Sequence, residues 1–276
     1  MTTAKPAQYA VMGNPIGHSK SPRIHTLFAA QTRQFMEYRA IWVEPGGLAA
    51  AIAAFRADGG RGLNITVPFK QDAWVYADIL SARAERAGAV NTLLFRDSGE
   101  AFGDNTDGIG LLRDFSVNHG IELAGRHILL LGAGGAARGI LQHLLAVRPA
   151  TLVIANRTAD KAAELALMFS DLGSVFGCGF NELAGRRFEV IIHATAAGLN
   201  EQMPPLPDDV LAPGGCCYDL MYGDRPTAFV RWGREHGAAQ ALDGLGMLVE
   251  QAAESFYLWR GVRPETQAVI ARLRGQ

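Results

Sequence analysis

The sequence predicts an α/β protein built from two successive β-α-β series, each forming a mainly parallel sheet. Three observations carry this expectation. Short apolar runs alternate with stretches of helical periodicity, and repeated β-α-β alternation demands parallel strands joined by right-handed crossovers. A second series starts near Arg126, beyond a natural boundary near Gly108. That series opens with a buried strand running into a glycine-rich turn and a helix, Leu129–Gly139. Size and composition agree, since 276 residues with 49 % hydrophobic content suffice for a buried core and one or two domains. Lys+Arg number 26 and Asp+Glu 27, a net charge of −1, which argues against a broad nucleic-acid-binding surface. Glycine is enriched at 32 residues without a collagen-like period, so the glycines serve turns and close backbone approaches.

The elements follow in order. Gln8–Met12 reads as a strand ending at Gly13-Asn14-Pro15-Ile16-Gly17. Pro22–Thr32 reads as a helix, with Ser21 as N-cap and Pro22 in its first turn. Phe35–Val43 is a strand, and Leu48–Asp58 a helix with Leu48, Ile52 and Phe55 on one face. Gly62–Val67 is a third strand stopped by Pro68. Two helical pieces and a strand pair, Asn91–Phe95 and Ala101–Gly103, come next, and the helix Ile109–His119 leads to the second series. There, strands at His127–Leu131 and Thr151–Ala155 alternate with helices at Ala136–Ala146 and Ala159–Ser170. Val190–Ala194 and Gly215–Leu220 are later strands, and Met247–Trp259 and Pro264–Leu273 the last helices.

Other features exclude whole classes. The polar opening Met1–Pro6 precedes no apolar h-region, and the apolar run Leu48–Phe55 is far short of the roughly 18 residues of a membrane span. A cytoplasmic location without a membrane partner is expected. Cys178, Cys216 and Cys217 show neither a disulfide framework nor a metal-ligand spacing. The adjacent pair reads as buried strand residues.

The glycine-rich turn carries the first chemistry. Gly132, Gly134 and Ala137 fit the G-x-G-x-x-G/A spacing, in which glycines let backbone N–H groups approach a pyrophosphate at a helix N-terminus. An NAD site typically ends the next strand with Asp or Glu for the ribose 2′-OH. Here Asn156-Arg157-Thr158 stands there, with Lys161 one turn on. Arg157 offers a guanidinium that can hold a 2′-phosphate, so NADP(H) is expected rather than NAD(H). The plainer reading, a solvated helix start, leaves two cations opposing the helix dipole.

Four polar motifs sit in the first half. Ser19-Lys20-Ser21-Pro22 places two hydroxyls at a helix N-terminus, able to receive a carboxylate or only to cap and turn. Asn64 and Thr66 share a strand face by period two, and Lys70 lies just past that strand. Gly88–Thr92 supplies Asn91, and Gly103–Gly108 supplies Asp107, either of which alone could be a turn or cap residue. Together they offer hydroxyls and amides for a polyol, with one cation and one carboxylate for proton transfer.

This combination resembles the shikimate dehydrogenase family over nearly the whole chain. The carriers are Gly13–Pro22, Asn64–Lys70, Gly88–Thr92, Gly103–Gly108, Gly132–Ala136, Asn156–Thr158, Tyr218–Tyr222 and Asp243–Gln251. The resemblance implies reversible NADPH-dependent reduction of 3-dehydroshikimate to shikimate, a step of aromatic amino-acid biosynthesis. It implies an N-terminal substrate domain (1–108 plus 240–276, the last helices returning to it), a Rossmann-like NADP-binding domain (109–239), and an active site in the cleft between them. By matching motif positions, Ser19 and Ser21 would bind the substrate carboxylate, and Asn64, Thr66, Asn91, Tyr222 and Gln251 its hydroxyls or carboxylate. Lys70 and Asp107 would form the catalytic pair. Gly132, Ala133, Gly134, Gly135 and Ala136 would hold the pyrophosphate, and Asn156, Arg157, Thr158 and Lys161 the adenosine phosphate. Leu220 and Gly244 would approach the nicotinamide end. The resemblance allows a monomer or a homodimer.

The residues agree with that chemistry, because a ring ketone undergoing reduction builds negative charge on oxygen that a donor must stabilise and protonate. Lys70 is the expected donor and Asp107 its orienting partner. One segment departs from the family pattern. His193-Ala194-Thr195-Ala196-Ala197-Gly198 resembles an Asn-Ala-Thr-Ser-x-Gly loop, with His193 for Asn and Ala196 for Ser, which puts the cofactor-side contacts in doubt but not the reaction. His193 reads as a strand-end residue with a local partner, and His18 and His25 as structural or exposed. The alternatives are a quinate/shikimate dehydrogenase with broader substrate and cofactor use, disfavoured by Asn156–Thr158, and a non-catalytic NADP(H)-binding relative, disfavoured by the intact Lys70 and Asp107.

Overall fold

The computed structural model describes residues 5–195 and 203–275. The chain divides into two compact units, Met1–Gly110 with Leu248–Gln276, and Leu111–Met247.

In the first unit the elements are β1 (Ala7–Gly13), α1 (Ser21–Thr32), β2 (Met36–Trp42), α2 (Leu48–Ala57), β3 (Gly60–Ile65), α3 (Lys70–Tyr76), β4 (Ile79–Leu80), α4 (Ala82–Ala87), β5 (Thr92–Phe95), β6 (Ala101–Asp104) and the start of α5 (Asp107–Arg113). The sheet order is β2-β1-β3-β5-β6-β4. Its β1 runs parallel to β2 and β3, and β4 parallel to β6. The central β5 is antiparallel to both β3 and β6; the short 96–100 connection accounts for the β5–β6 hairpin, whereas the β3–β5 pairing is set by the packing of the sheet. Ala10, Met12, Ile52, Phe55, Leu63, Ile65 and Leu93 form one apolar cluster over this sheet.

Ser21 differs from its expected capping role. It is the first residue of α1, which has no side-chain cap from its flanking Lys20. The Ser21 N–H instead donates to Oγ of Ser19 at 3.3 Å, which leaves the Ser21 hydroxyl available for other partners.

The second unit holds β7 (His127–Leu131), α6 (Gly135–Ala146), β8 (Thr151–Asn156), α7 (Ala159–Met168), β9 (Val175–Gly179), β10 (Phe188–His193), β11 (Leu211–Asp219), α8 (Ala228–Glu235) and β12 (Gln240–Leu242). The chain closes with α9 (Leu245–Arg260) and α10 (Gln267–Leu273). The strand order β12-β11-β10-β7-β8-β9 is parallel throughout. It is the doubly wound arrangement, whose order reverses between β7 and β10, and such sheets take ligands beyond the carboxyl ends of the strands at that reversal.

Residues 240–247 belong with this second unit rather than the first. β12 extends the sheet beside β11, with Cys216 opposite Gln240, so the return to the first unit begins at Leu248. The helix expected over 109–119 is also interrupted. After α5 a single π turn, Asp114–Asn118, carries the buried Asp114, whose carboxylate accepts from Tyr218 at 2.5 Å. Gly246 makes room for it, since a Cβ there would lie 1.9 Å from Asp114 Oδ1. Cys216 and Cys217 are buried in β11, and burial pushes both thiols up to about 12. Among the described residues, no helix is long and apolar enough to cross a membrane.

Candidate active site

In the first unit the polar motifs converge on one ion pair. Lys70 opens α3 immediately after the β3 loop, and Asp107 opens α5. Lys70 Nζ donates to Asp107 Oδ2 at 2.5 Å, with the two side chains 15 % and 6 % exposed. Such shielding strengthens the pairing relative to a surface salt bridge. The other carboxylate oxygen of Asp107 accepts from Asn91 Nδ2 at 2.8 Å. Asn91 also donates to Thr106 Oγ1 at 2.9 Å and Gln251 Oε1 at 3.2 Å, while its own oxygen accepts the Thr106 N–H at 2.9 Å. Backbone bonds set the frame, with Val90 N–H donating to the Lys70 carbonyl at 2.8 Å.

A second layer of polar side chains stands behind this pair. Asn64 Nδ2 donates to Ser255 Oγ at 3.0 Å and to Thr92 Oγ1 at 3.2 Å, and the two hydroxyls lie 2.7 Å apart. Tyr38 donates its hydroxyl to Asn64 Oδ1 at 2.7 Å. Burial pushes the Tyr38 hydroxyl well above the usual tyrosine range, a hydrogen bond with Ser21 opposing that shift. Tyr38 thereby links the serine motif to Asn64. A fully satisfied buried network of this kind holds its members in one geometry.

The segment that delivers Asp107 is clamped by charge. Asp104 accepts from Arg83 Nε at 2.6 Å and Nη2 at 2.5 Å, and from Ser81 Oγ at 2.5 Å. Burial alone would raise the Asp104 carboxyl, but the Arg83 guanidinium and its other donors hold it below the usual carboxylate range. Asn105 continues the clamp, donating to the Ala89 carbonyl at 2.9 Å and accepting the Asp107 N–H at 3.1 Å.

In the second unit the glycine-rich turn joins β7 to α6. Gly132 has φ +110, and a Cβ there would lie 2.9 Å from the Ala194 carbonyl oxygen, so the fold itself demands glycine. Gly134 has no positive φ, and a Cβ on it would meet nothing within 4 Å. Gly134 is the N-cap of α6, and a backbone without a side chain there lets a ligand approach closely. Helix α6 has no side-chain cap and no acidic residue in its first turn, leaving its N–H groups and dipole for an anion. At the end of β8, Asn156 Nδ2 donates to the Thr158 carbonyl at 3.0 Å, and Arg157 and Lys161 are exposed. No carboxylate stands among residues 156–158, where the strand ends. These residues fit a phosphorylated dinucleotide.

Comparisons with known proteins agree with both halves. Family profiles match the shikimate dehydrogenase substrate binding domain over residues 11–93, shikimate/quinate 5-dehydrogenase over 116–200, and the shikimate 5′-dehydrogenase C-terminal domain over 244–274. The shikimate dehydrogenase (NADP(+)) of Methylococcus capsulatus is 61 % identical, covering 99 % of this chain and 98 % of its own length. The chain belongs to the shikimate dehydrogenase family. The Alkalilimnicola ehrlichii member is 60 % identical over 97 % of this chain and 98 % of its own. The shikimate 5-dehydrogenase of Thermus thermophilus, solved with NADP(H) and shikimate, is 32 % identical with a TM-score of 0.85, covering 97 % of this chain and 99 % of that one.

Of the residues the family resemblance singles out, the first unit joins Lys70, Asp107, Asn91, Asn64 and Gln251 in one network, and Tyr38 adds Ser21. Ser19 turns the chain into α1. Thr66 lies one residue beyond β3, where its N–H donates to the Met12 carbonyl at 3.0 Å. In the second unit Gly244 packs on the Leu220 carbonyl, 2.3 Å from its would-be Cβ, and half-buried Tyr222 follows β11. Ala196 lies outside the described residues. Sequence reasoning passed over Tyr38, Thr106 and Ser255. Ser255 had a signal, standing one helical turn after Gln251 on the same face. Thr106 stood unassigned inside a quoted motif.

The two glycines give a paired prediction. Gly132→Ala is expected to lower stability by about 1–3 kcal/mol, the scale of a forced backbone conformation. Gly134→Ala should unfold within about 0.5 kcal/mol of the parent yet weaken NADP⁺ binding about tenfold, the loss of roughly one good backbone contact to an anion. Urea melts and calorimetric titration check the two halves separately.

His25 is fully buried and stacks on Tyr38, with centroids 4.1 Å apart. Burial lowers its pKa from 6.5 to about 3, so folding favours the neutral ring. Its contribution is complete above pH 6.5 and is lost as pH falls towards 3, with a slope of up to about 1.4 kcal/mol per pH unit. The parent should therefore lose stability relative to His25→Phe as pH falls from 7 to 4, while the gap between them stays constant above pH 7; parallel profiles over the whole range would reject this account.

Proposed function

We propose that the chain catalyses the reversible NADPH-dependent reduction of 3-dehydroshikimate to shikimate, with Lys70 as the acid/base and Asp107 as its partner. The observation that supports this reading best is the shielded Lys70–Asp107 pair, held by Asn91 amid hydroxyls and amides. Bound NADPH supplies the hydride for the ring carbonyl. Lys70 Nζ stabilises the negative charge that grows on the carbonyl oxygen and delivers the proton, and in the reverse direction it removes that proton. Asp107 orients Nζ through Oδ2, and Asn91 holds Oδ1 so that the carboxylate cannot turn away. Ser19 and Ser21 receive the substrate carboxylate. Asn64, Thr66, Asn91, Tyr222 and Gln251 bind its hydroxyls or carboxylate.

Gly132, Ala133, Gly134, Gly135 and Ala136 hold the pyrophosphate of NADP(H). Asn156, Arg157, Thr158 and Lys161 hold the 2′-phosphate end, and Leu220 and Gly244 complete the cofactor set. The deciding experiment follows absorbance of the reduced nicotinamide with shikimate or quinate, each with NADP⁺ or NAD⁺. Rapid turnover with shikimate and NADP⁺ alone is the expected result. Turnover with quinate and NAD⁺ would overturn the specificity, and binding of NADP⁺ without turnover in any pair would overturn the enzyme reading.

A further inference from the structure

We propose that His193 is a positioning residue for the cofactor turn: anchored by Asp219, it holds the hydroxyl of Thr195 so that Thr195 backs the glycine turn at Gly132. The proposal rests on the reading of the second unit as the NADP(H)-binding half.

The anchor is complete. Asp219, at the end of β11, accepts from Met221 N–H at 3.0 Å through Oδ1 and from Thr227 Oγ1 at 2.6 Å through Oδ2. Thr227 is itself tied down as the cap of α8, its Oγ1 accepting from Val230 N–H at 3.2 Å. His193 Nδ1 lies 3.0 Å from Asp219 Oδ1, and both side chains are 1 % exposed. A carboxylate only accepts hydrogen bonds, so Nδ1 carries a proton toward Asp219. On the other side of the ring the Thr195 hydroxyl lies 2.6 Å from Nε2, within hydrogen-bond distance. Phe229 of α8 stacks on the imidazole, with centroids 5.0 Å apart and planes 28° apart, which fixes the ring plane.

The far end of this chain of bonds meets the glycine turn. The Thr195 methyl lies 3.1 Å from where a Gly132 Cβ would stand, and the Ala194 carbonyl oxygen 2.9 Å from it. With its hydroxyl bonded to His193 and its methyl against Gly132, the β-branched Thr195 is held in one rotamer. The turn that presents N–H groups to a pyrophosphate is thereby supported from β10.

Histidine matters at this position because of reach. The family-like residue here is Asn, whose amide can occupy the place of Nδ1 and bond Asp219 but ends one bond short of Nε2. Gln extends to the place of Nε2 and can bond Thr195, but it lacks a group where Nδ1 meets Asp219. The two substitutions therefore cut the chain of bonds at opposite ends.

The test measures NADP⁺ dissociation constants by calorimetry and apo-protein melting temperatures for the parent, Thr195→Val, His193→Asn, His193→Gln and the Thr195→Val/His193→Asn double variant. Thr195→Val and His193→Asn are each expected to raise Kd about 3- to 10-fold, the scale of one lost hydrogen bond. The double variant should be no worse than either single one, since both remove the same link. His193→Gln should keep Kd within about 2-fold while melting lower, because Asp219 loses a buried partner. The KM for shikimate should not change in any of them. Unchanged Kd in Thr195→Val and His193→Asn, or Kd values that merely track melting temperature across the set, would reject the proposal and leave the NADP⁺ reading intact. Failure of the parent to bind NADP⁺ would overturn both.

Discussion

Replacing Lys70 with Ala is expected to lower kcat at least about 100-fold, the scale of losing one general acid/base group, while the KM for shikimate changes much less. The prediction follows from where the ammonium sits. Its partner oxygen on Asp107 is 2.5 Å away, and the side chain is only 15 % exposed. Water has little access to replace it as a proton donor. Asp107→Asn should also reduce kcat, because the amide still meets Asn91 but no longer draws the ammonium into place. Steady-state kcat and KM values for both variants check the two roles. Retention of most of the parent kcat in Lys70→Ala would assign the proton transfer elsewhere.

Arg157→Ala is expected to raise the NADP⁺ Kd about 100-fold and leave the NAD⁺ Kd within about 2-fold. A charge-assisted hydrogen bond is worth roughly 1.5–3 kcal/mol, and a phosphate takes such bonds in pairs from a guanidinium. Arg157 directly follows β8, is exposed, and has no carboxylate beside it at the strand end. The same substitution should hardly alter stability, as an exposed residue outside a packed contact rarely shifts it by more than about 0.5 kcal/mol. Direct titration with both dinucleotides checks this; equal losses for NADP⁺ and NAD⁺ would mean that Arg157 contacts a part common to both.

Much of this site was legible before any coordinates. Lys70, Asn91 and Asp107 stand in short motifs at the ends of recognisable elements, and strand–turn–helix with G-x-G-x-x-A carries its own mechanism. The supporting cast was less legible. Tyr38 reads as one more aromatic in a strand, and Ser255 as a small residue in a largely apolar helix. Their roles exist only because Asn64 is brought to both, across 26 and 191 residues of chain. The clamp of Arg83 on Asp104 is hidden for the same reason.

The sequence by itself determined the alternation of strands and helices, the all-parallel second sheet and the glycine-rich turn between β7 and α6. Each of these is written in periods of two or three to four residues, or in a turn that only glycine permits, and such signals need no distant partner. Tertiary structure alone decided that β5 runs antiparallel, that β12 stays with the second sheet, and that α5 passes into a π turn. The last of these turns on a carboxylate whose partner, Tyr218, lies 104 residues on. It also decided that Ser21 begins a helix rather than capping it, and that His193 spans Asp219 and Thr195. These outcomes depend on which polar groups find partners once water is excluded, and a buried group is constrained by neighbours in space rather than in sequence.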